Sequence, residues 1–153
     1  MSTVNVEYGT VINARPEDVY AIFRDYRVSH PAILPKPYFE YLTVEEGGLG
    51  AGTKFTAGMN ILGTKSTFSA TVSEPEPGRM ILEKDDEERL KTYFIMDPVE
   101  NGQKTLVTLR TIAQTSPGFK GIIERLTMPS LLRMIYKKEL ANVADYLAKQ
   151  AVK

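Results

Sequence analysis

Hydrophobic and polar residues alternate over much of the chain, which is the pattern of β-strands whose two faces differ. The alternation is clearest in residues 4–13, 54–61, 67–72, 90–96 and 106–113. Such a period of two places one face against a core and leaves the other mostly wet, as in an antiparallel sheet. Two weaker segments complete a prediction of seven strands. They are expected to bury Leu42 with Val44 and Met80 with Leu82.

Two segments replace the alternation with a helical spacing. Val19, Ile22, Phe23 and Tyr26 recur at i, i+3, i+4 and i+7 behind Pro16, which predicts a helix that begins at this proline. The second segment runs almost to the end of the chain, and Ser116 is its predicted N-cap. Glycine and proline clusters lie between the predicted strands and indicate hairpin turns.

The C-terminal segment carries two hydrophobic stripes, one on each side of Pro129. The first consists of Phe119, Ile122, Ile123 and Leu126; the second consists of Leu132, Ile135, Tyr136, Leu140, Val143, Tyr146 and Leu147. At 100° per residue their centres differ by roughly 115°. Because proline also removes a backbone hydrogen bond, a kink or break is predicted near residues 128–130.

An antiparallel sheet with one apolar face needs a cover, and the C-terminal helix is the long apolar element available. A curved sheet that grips one helix encloses space. Met59, Met80 and Met96 are on predicted inward faces, together with hydroxyl groups of Tyr8 and Thr92. An apolar cavity with a few polar groups is typical of a small-molecule site. The alternative is a filled core in which methionines occupy the gaps.

Composition narrows the possible chemistry. The 153 residues have no net charge, no cysteine and one histidine. This balance disfavours nucleic-acid binding and excludes thiolate chemistry, zinc–sulfur sites and paired-imidazole metal sites. No signal peptide or membrane span is recognised, so we expect a single cytoplasmic domain over residues 1–153 with no cofactor. The acidic run 85–88 is interpreted as a solvated hairpin tip.

Several motifs, in order along the chain, resemble the SRPBCC superfamily, which includes START-like lipid-transfer domains, polyketide cyclase/dehydrases and birch-pollen-allergen-like proteins. They are ARPEDVY at 14–20, GAGT at 50–53, EPEPGR at 74–79 and the closing segment 136–147. These patterns mark turns and helix ends rather than chemistry. The resemblance implies an α+β helix-grip fold: a seven-stranded curved antiparallel sheet wrapped around a long, kinked C-terminal helix.

The resemblance also implies a hydrophobic small molecule or lipid held between the sheet and this helix. A polyketide cyclase/dehydratase-like enzyme using the same cavity is the alternative, and a filled-core interaction domain is a third possibility. The iron-dependent oxygenase branch is excluded because it needs two histidines. Nothing in the sequence indicates the oligomeric state or the ligand.

The candidate ligand-binding residues follow from this layout. The predicted wall consists of Phe55, Met59, Phe68, Met80, Phe94 and Leu109; the predicted lid consists of Met128, Leu132 and Ile135; the predicted polar contacts are Tyr8, His30 and Thr92. Glu139 lies in the middle of the helix stripe, where a carboxylate is either paired in the core or near the cavity. His30, Glu139 and Tyr8 are the candidates for proton transfer if the chain is an enzyme. The alternative for His30 is a surface or capping role.

Overall fold

Seven strands form one antiparallel sheet in the computed structural model, which describes residues 2–151. The strands are β1 (Thr3–Ile12), β2 (Phe39–Glu46), β3 (Lys54–Ile61), β4 (Thr64–Glu76), β5 (Met80–Asp85), β6 (Leu90–Val99) and β7 (Lys104–Gln114). Their order across the sheet is β1-β7-β6-β5-β4-β3-β2. The predicted number of strands and the predicted antiparallel pairing are confirmed.

Three helices accompany the sheet within the described residues: α1 (Pro16–Arg24), α2 (Ser29–Ile33) and α3 (Gly118–Ala151). Pro16 begins α1, where its missing N–H has no partner to lose, and Glu17 and Asp18 in the first turn suit the positive end of the helix dipole. The buried residues of α1 include Val19, Ile22 and Phe23 of the predicted hydrophobic stripe. The five-residue α2 agrees with a proline-rich segment that cannot form a long helix.

Helix α3 continues through Pro129, so the predicted break is wrong. A bend at this proline stays a prediction. The helix also begins at Gly118, so Ser116 lies outside the N-cap position. Ser116 instead holds the start of α3 through Glu124, because its Oγ donates to Oε1 at 2.6 Å and its backbone N–H donates to Oε2 at 3.0 Å.

The two stripes of α3 have different surroundings. Ile135, Tyr136, Leu140 and Val143 are buried, whereas the four residues of the first stripe are exposed. Helix α3 packs chiefly against β1 and α2. The helix can therefore continue past Pro129 because its first stripe does not need to face the sheet.

Residues of the motifs at 14–20, 50–53 and 74–79 connect α1 to the sheet through hydrogen bonds. Glu74 of β4 accepts hydrogen bonds from the Tyr20 hydroxyl at 2.6 Å, the Arg24 guanidinium at 3.0 Å and the Ala51 amide at 3.0 Å. Gly50 has a φ of +62°, and a Cβ there would lie 2.5 Å from the Glu74 carboxylate. These residues join α1 to the sheet, and none of them lines the cavity between α3 and the sheet.

Strand β5 faces the opposite way from the prediction. Ile81 is fully buried and Glu83 turns inward, whereas Met80 and Leu82 are only half-buried. Three consecutive apolar residues, 80–82, carry no alternation to set the phase. Glu83 follows them, and because carboxylates are rarely interior, its position favoured the wrong face of β5 as the inward one. The correction brings an acid, rather than a methionine, to the inner face of the sheet.

No helix within residues 2–151 is long and apolar enough to cross a membrane.

Candidate functional site

A cavity of about 80 Å³ lies between α3 and the inner face of the sheet. Its walls are mainly aliphatic and aromatic, and a few polar groups reach it from α2, β5, β6, β7 and α3. The lining residues are His30, Leu34, Phe39, Leu42, Phe55, Ala57, Met59, Phe68, Ala70, Glu83, Asp85, Leu90, Thr92, Phe94, Thr111, Leu132, Ile135, Tyr136 and Glu139. At about 30 Å³ per water in the liquid, the space suits about two or three waters or a small organic group.

Two small side chains leave this space open. Ala57 of β3 pairs with Phe68 of β4, and Ala70 of β4 pairs with Phe55 of β3. Each alanine therefore lies beside a large ring on the same inward face, and the volume above the alanines is not filled by the strands. Since α3 packs chiefly against β1 and α2, it does not fill this volume either.

Glu83 is held at the cavity by a fully buried tyrosine. The Tyr26 hydroxyl donates to Glu83 Oε1 at 2.8 Å, and the His30 Nε2 lies 3.7 Å from the same oxygen. The Tyr26 and His30 rings stack with centroids 4.4 Å apart, and the Phe94 ring meets the imidazole edge-on at 5.6 Å. Three side chains from α2, the α1–α2 connection and β5 thus form one packed polar cluster.

His30 is an interior residue with its tautomer set by the backbone. Its Nδ1 lies 2.7 Å from the Phe23 carbonyl oxygen, which can only accept, so Nδ1 carries the proton and Nε2 presents a lone pair. Burial lowers the pKa of His30 to about 4. The imidazole is therefore neutral near pH 7 and forms no ion pair with Glu83. The alternative of a surface position is excluded for this histidine.

Glu139 lies across the cavity from the sheet and lacks a complete set of partners. The residue is 3% exposed, and its Oε2 has no hydrogen-bond partner within residues 2–151. A buried carboxyl oxygen without a donor is uncommon, because losing water without a replacement costs about 1–3 kcal/mol. The predicted alternative of a paired core carboxylate does not describe this atom.

The neighbouring hydroxyl groups are already engaged with one another. Tyr136 of α3 forms a short hydrogen bond with Thr111 of β7, and the Thr111 Oγ1 lies 2.9 Å from the Thr92 Oγ1 of β6. This chain of hydroxyls crosses from the helix to the sheet beside Glu139. It fixes the Tyr136 ring at one side of the cavity.

The two interior glutamates have raised pKa values. Burial raises the pKa of Glu83 to about 7, which the Tyr26 hydrogen bond partly opposes. Burial, together with the negative charge of Glu83, raises the pKa of Glu139 to about 8. Both acids therefore gain and lose protons near neutral pH, which suits groups that bind a cation or transfer a proton.

Of the predicted site residues, nine line the cavity: His30, Phe55, Met59, Phe68, Thr92, Phe94, Leu132, Ile135 and Glu139. Four lie elsewhere. Tyr8 is half-buried on β1, and Leu109 of β7 is fully buried beside its register partner Phe94 of β6. Met128 is half-buried on α3 before the helix reaches the cavity, and Met80 is on the other face of β5.

The sequence prediction missed Glu83 and Tyr26. The strand phase hid Glu83, and Tyr26 was assigned only to the apolar stripe of α1. A correct phase for β5 would have placed an acid opposite Glu139, which was the available signal. No group of three or more histidine or acidic side chains within residues 2–151 is arranged to hold a metal ion.

Comparison with known proteins places this fold in a family. A sequence model described as polyketide cyclase/dehydrase and lipid transport matches residues 3–148, nearly the whole chain. The chain belongs to this family. The resemblance to the SRPBCC superfamily is thereby confirmed, and so is the helix-grip fold.

Solved structures agree with the family assignment. The KanY protein, determined by NMR in solution, is 30% identical with a TM-score of 0.81, covering 97% of this chain and 99% of that one. TTHA0849 from Thermus thermophilus is 23% identical with a TM-score of 0.75, covering 95% and 98%. The Zhui aromatase/cyclase from Streptomyces sp. R1128 is 13% identical with a TM-score of 0.75, covering 99% and 97%. The last two show the shared fold alone. No curated protein matches the chain.

Proposed function

We propose that this member of the polyketide cyclase/dehydrase and lipid transport family binds a compact hydrophobic molecule that carries one polar group. The observation that carries the proposal is an aromatic cavity lined by Glu139, whose buried Oε2 has no hydrogen-bond partner within residues 2–151. The nine lining residues named above form the proposed ligand site, with Glu83 added.

The size of the cavity argues for a small ligand. Sites for drug-sized molecules usually measure about 300–1,000 Å³, well above the 80 Å³ found between α3 and the sheet. A single aromatic ring with a short polar arm matches the observed space better than a long lipid chain. A lipid would need α3 or the edge strand β2 to move outward.

A tryptophan reporter tests the binding proposal. The chain contains no tryptophan, so Phe68→Trp places a single indole in the cavity wall. We expect a saturable change in its fluorescence when 2-phenylethanol, 2-phenylethylamine or decanol is titrated, because a bound ligand displaces cavity water around the indole.

Phe119→Trp is the matched control. Phe119 is 76% exposed on the first turn of α3 and lies outside the cavity, so its fluorescence should stay unchanged. Equal changes in both variants would indicate non-specific association, and no change at Phe68→Trp with any of these ligands would reject the binding proposal.

A proton-transfer enzyme of the cyclase/dehydratase type is the second candidate. It is favoured by the two carboxyl groups, Glu83 and Glu139, with pKa values of about 7 and 8 in one apolar cavity. In this proposal ionised Glu83 takes a proton from the carbon next to a ligand carbonyl, breaking that C–H bond. Protonated Glu139 gives its proton to the carbonyl oxygen, which yields an enol, and the reverse steps restore the ketone.

Exchange of a ketone's C–H protons for deuterium tests this second candidate directly. In D₂O, NMR follows the loss of the protons on the carbons next to the carbonyl of 4-phenyl-2-butanone. We expect this loss to be faster with the protein than without it. Glu83→Gln should abolish the acceleration, because an amide cannot take the proton. The exposed Glu87→Gln should retain it. If the ketone binds but its exchange is not accelerated, the enzyme candidate is rejected and the binding proposal stands.

A further inference from the structure

The described lining of the cavity contains acids but no lysine or arginine to balance their charge. Glu83 projects from β5 and Glu139 from α3, so two different elements bring carboxyl groups to one space. Asp85 lies farther along β5, where its Oδ1 accepts the Leu90 amide at 2.6 Å. Among residues 2–151, no lysine or arginine side chain lines the cavity. The protein itself therefore supplies no cation for these acids.

The remaining polar groups around the cavity do not fill this role. His30 is neutral, and its one N–H is donated to the Phe23 carbonyl. The Tyr26 hydroxyl donates its hydrogen bond to Glu83, and the Tyr136 hydroxyl is hydrogen-bonded to Thr111. None of these donors reaches Glu139 Oε2, so one carboxyl oxygen of a cavity-lining residue has no hydrogen-bond partner within residues 2–151.

We propose that the cavity selects a protonated hydrophobic amine, with its ammonium group between Glu83 and Glu139 and its apolar body against Phe55, Phe68 and Phe94. This inference rests on the proposed binding function and names the ligand class of the same site. It follows from the unpartnered Glu139 oxygen, the absence of a lining lysine or arginine within residues 2–151 and the aromatic wall.

An ammonium group meets the chemical needs of the site. It carries three N–H donors and one positive charge, so it can bond the carboxylates of Glu139 and Glu83 at once. Aromatic rings are also favourable neighbours for a desolvated cation. A ligand carboxylate would be repelled by the acids, and a neutral alcohol would leave at least one of them without a counter-charge.

Protonation agrees with this ligand class. With pKa values of about 7 and 8, Glu83 and Glu139 are partly protonated near neutral pH, so an incoming ammonium ion displaces a proton. The other titratable groups that line the cavity are Glu83 and Asp85 of β5, His30 of α2, and Tyr136 of α3 itself. Amine affinity should therefore rise with pH from about 6 to about 8.5 and fall again as the amine loses its own proton near pH ~10.

The test compares three ligands of nearly equal size. Isothermal titration calorimetry near pH ~7.5 measures 2-phenylethylammonium, 2-phenylethanol and 3-phenylpropanoate. We expect the amine to bind at least about tenfold more tightly than the alcohol, a difference of about 1.4 kcal/mol, and the carboxylate to bind most weakly. The heat measured in phosphate and in Tris should differ, because binding releases a proton to the buffer.

Variants locate the selectivity. Glu139→Gln should reduce the preference for amine over alcohol to about threefold or less, because the amide removes the negative charge while keeping the shape. The exposed Glu87→Gln should retain the full preference. If Glu139→Gln does not fold, the same affinity ratio is measured in Glu83→Gln. The ratio of amine to alcohol affinity in the wild type decides the inference even without either variant.

The possible failures are distinguishable. An amine preference below tenfold in the wild type, or one that persists in both glutamine variants, overturns the amine inference and leaves hydrophobic binding intact. If none of the three ligands binds and the Phe68→Trp reporter also stays silent, the proposed function itself is rejected.

Discussion

At the scale of single residues, the interior combines a histidine and two glutamates whose neutral forms are favoured. His30 loses its proton more easily than usual, with a pKa of about 4, whereas Glu83 and Glu139 retain theirs to about 7 and 8. Burial is the main cause in each case, because the low-dielectric interior penalises charge of either sign. These three side chains are thus close to uncharged at mildly acidic pH, and the two glutamates become negative as pH rises.

These pKa shifts predict how stability depends on pH. Glu139 holds its proton in the folded protein up to about pH 8, whereas an unfolded glutamate loses it near ~4.3. The stabilising contribution is present below the unfolded pKa and is lost as pH rises through about 8. His30 acts in the opposite sense, because its contribution is present above ~6.5 and is lost as pH falls through about 4.

The prediction concerns Glu139→Gln between about pH 6.5 and 9, where His30 of the folded protein stays neutral and its titration in the unfolded chain is the same in wild type and variant. The variant should gain stability relative to the wild type as pH rises, by on the order of 1 kcal/mol or more, since glutamine has no charge to bury. Urea denaturation at several pH values measures the difference. For the exposed Glu87→Gln the difference should be nearly constant. Parallel pH profiles for wild type and Glu139→Gln would contradict the assignment.

At the scale of elements, strands with strict alternation could be oriented from sequence and β5 could not. Phe55 with Ala57 and Phe94 with Met96 lie on the inward faces expected for β3 and β6. In β5 the phase depended on whether Glu83 could be interior. Its partner is Tyr26, 57 residues earlier in the chain, and a contact of that kind is invisible to a local pattern.

Helix α3 shows the same limit. The offset of its two stripes was real, but the inference of a break assumed that both stripes were buried. Phe119 and Leu126 are about three-quarters exposed, so the helix did not need to interrupt its backbone to place them. How far the sheet reaches along a helix depends on the whole architecture rather than on helical periodicity.

The site was partly predictable for a related reason. Inward positions such as Phe68 and Thr92 follow from alternation once the sheet and helix are known to face each other. Whether an inward residue lines a cavity or fills the core depends on side-chain volumes at neighbouring positions. Leu109 is inward but fully buried, whereas Met59 faces the space left beside Ala57.

At the scale of the whole molecule, the cavity is a place where stability and binding compete for the same volume. Empty apolar space loses the packing contacts that a filled core would have. Ala57 and Ala70 keep the space open in the middle of the sheet, where larger side chains would be expected to stabilise the protein. A chain that retains such a hollow therefore gives up some packing energy, and under the proposed function the same space receives the ligand.

This competition predicts opposite effects for two alanine-to-valine changes. Ala57→Val fills part of the cavity on a strand that favours β-branched residues, so stability should stay equal or rise by up to about 1 kcal/mol. The affinity for 2-phenylethanol should fall at least about tenfold.

Ala113→Val on β7 is the control: Ala113 is buried but does not line the cavity. Overpacking there should cost about 1–3 kcal/mol and leave ligand affinity unchanged. Denaturation and calorimetry on both variants measure the two quantities, and unchanged ligand affinity in Ala57→Val would show that the ligand binds outside this cavity.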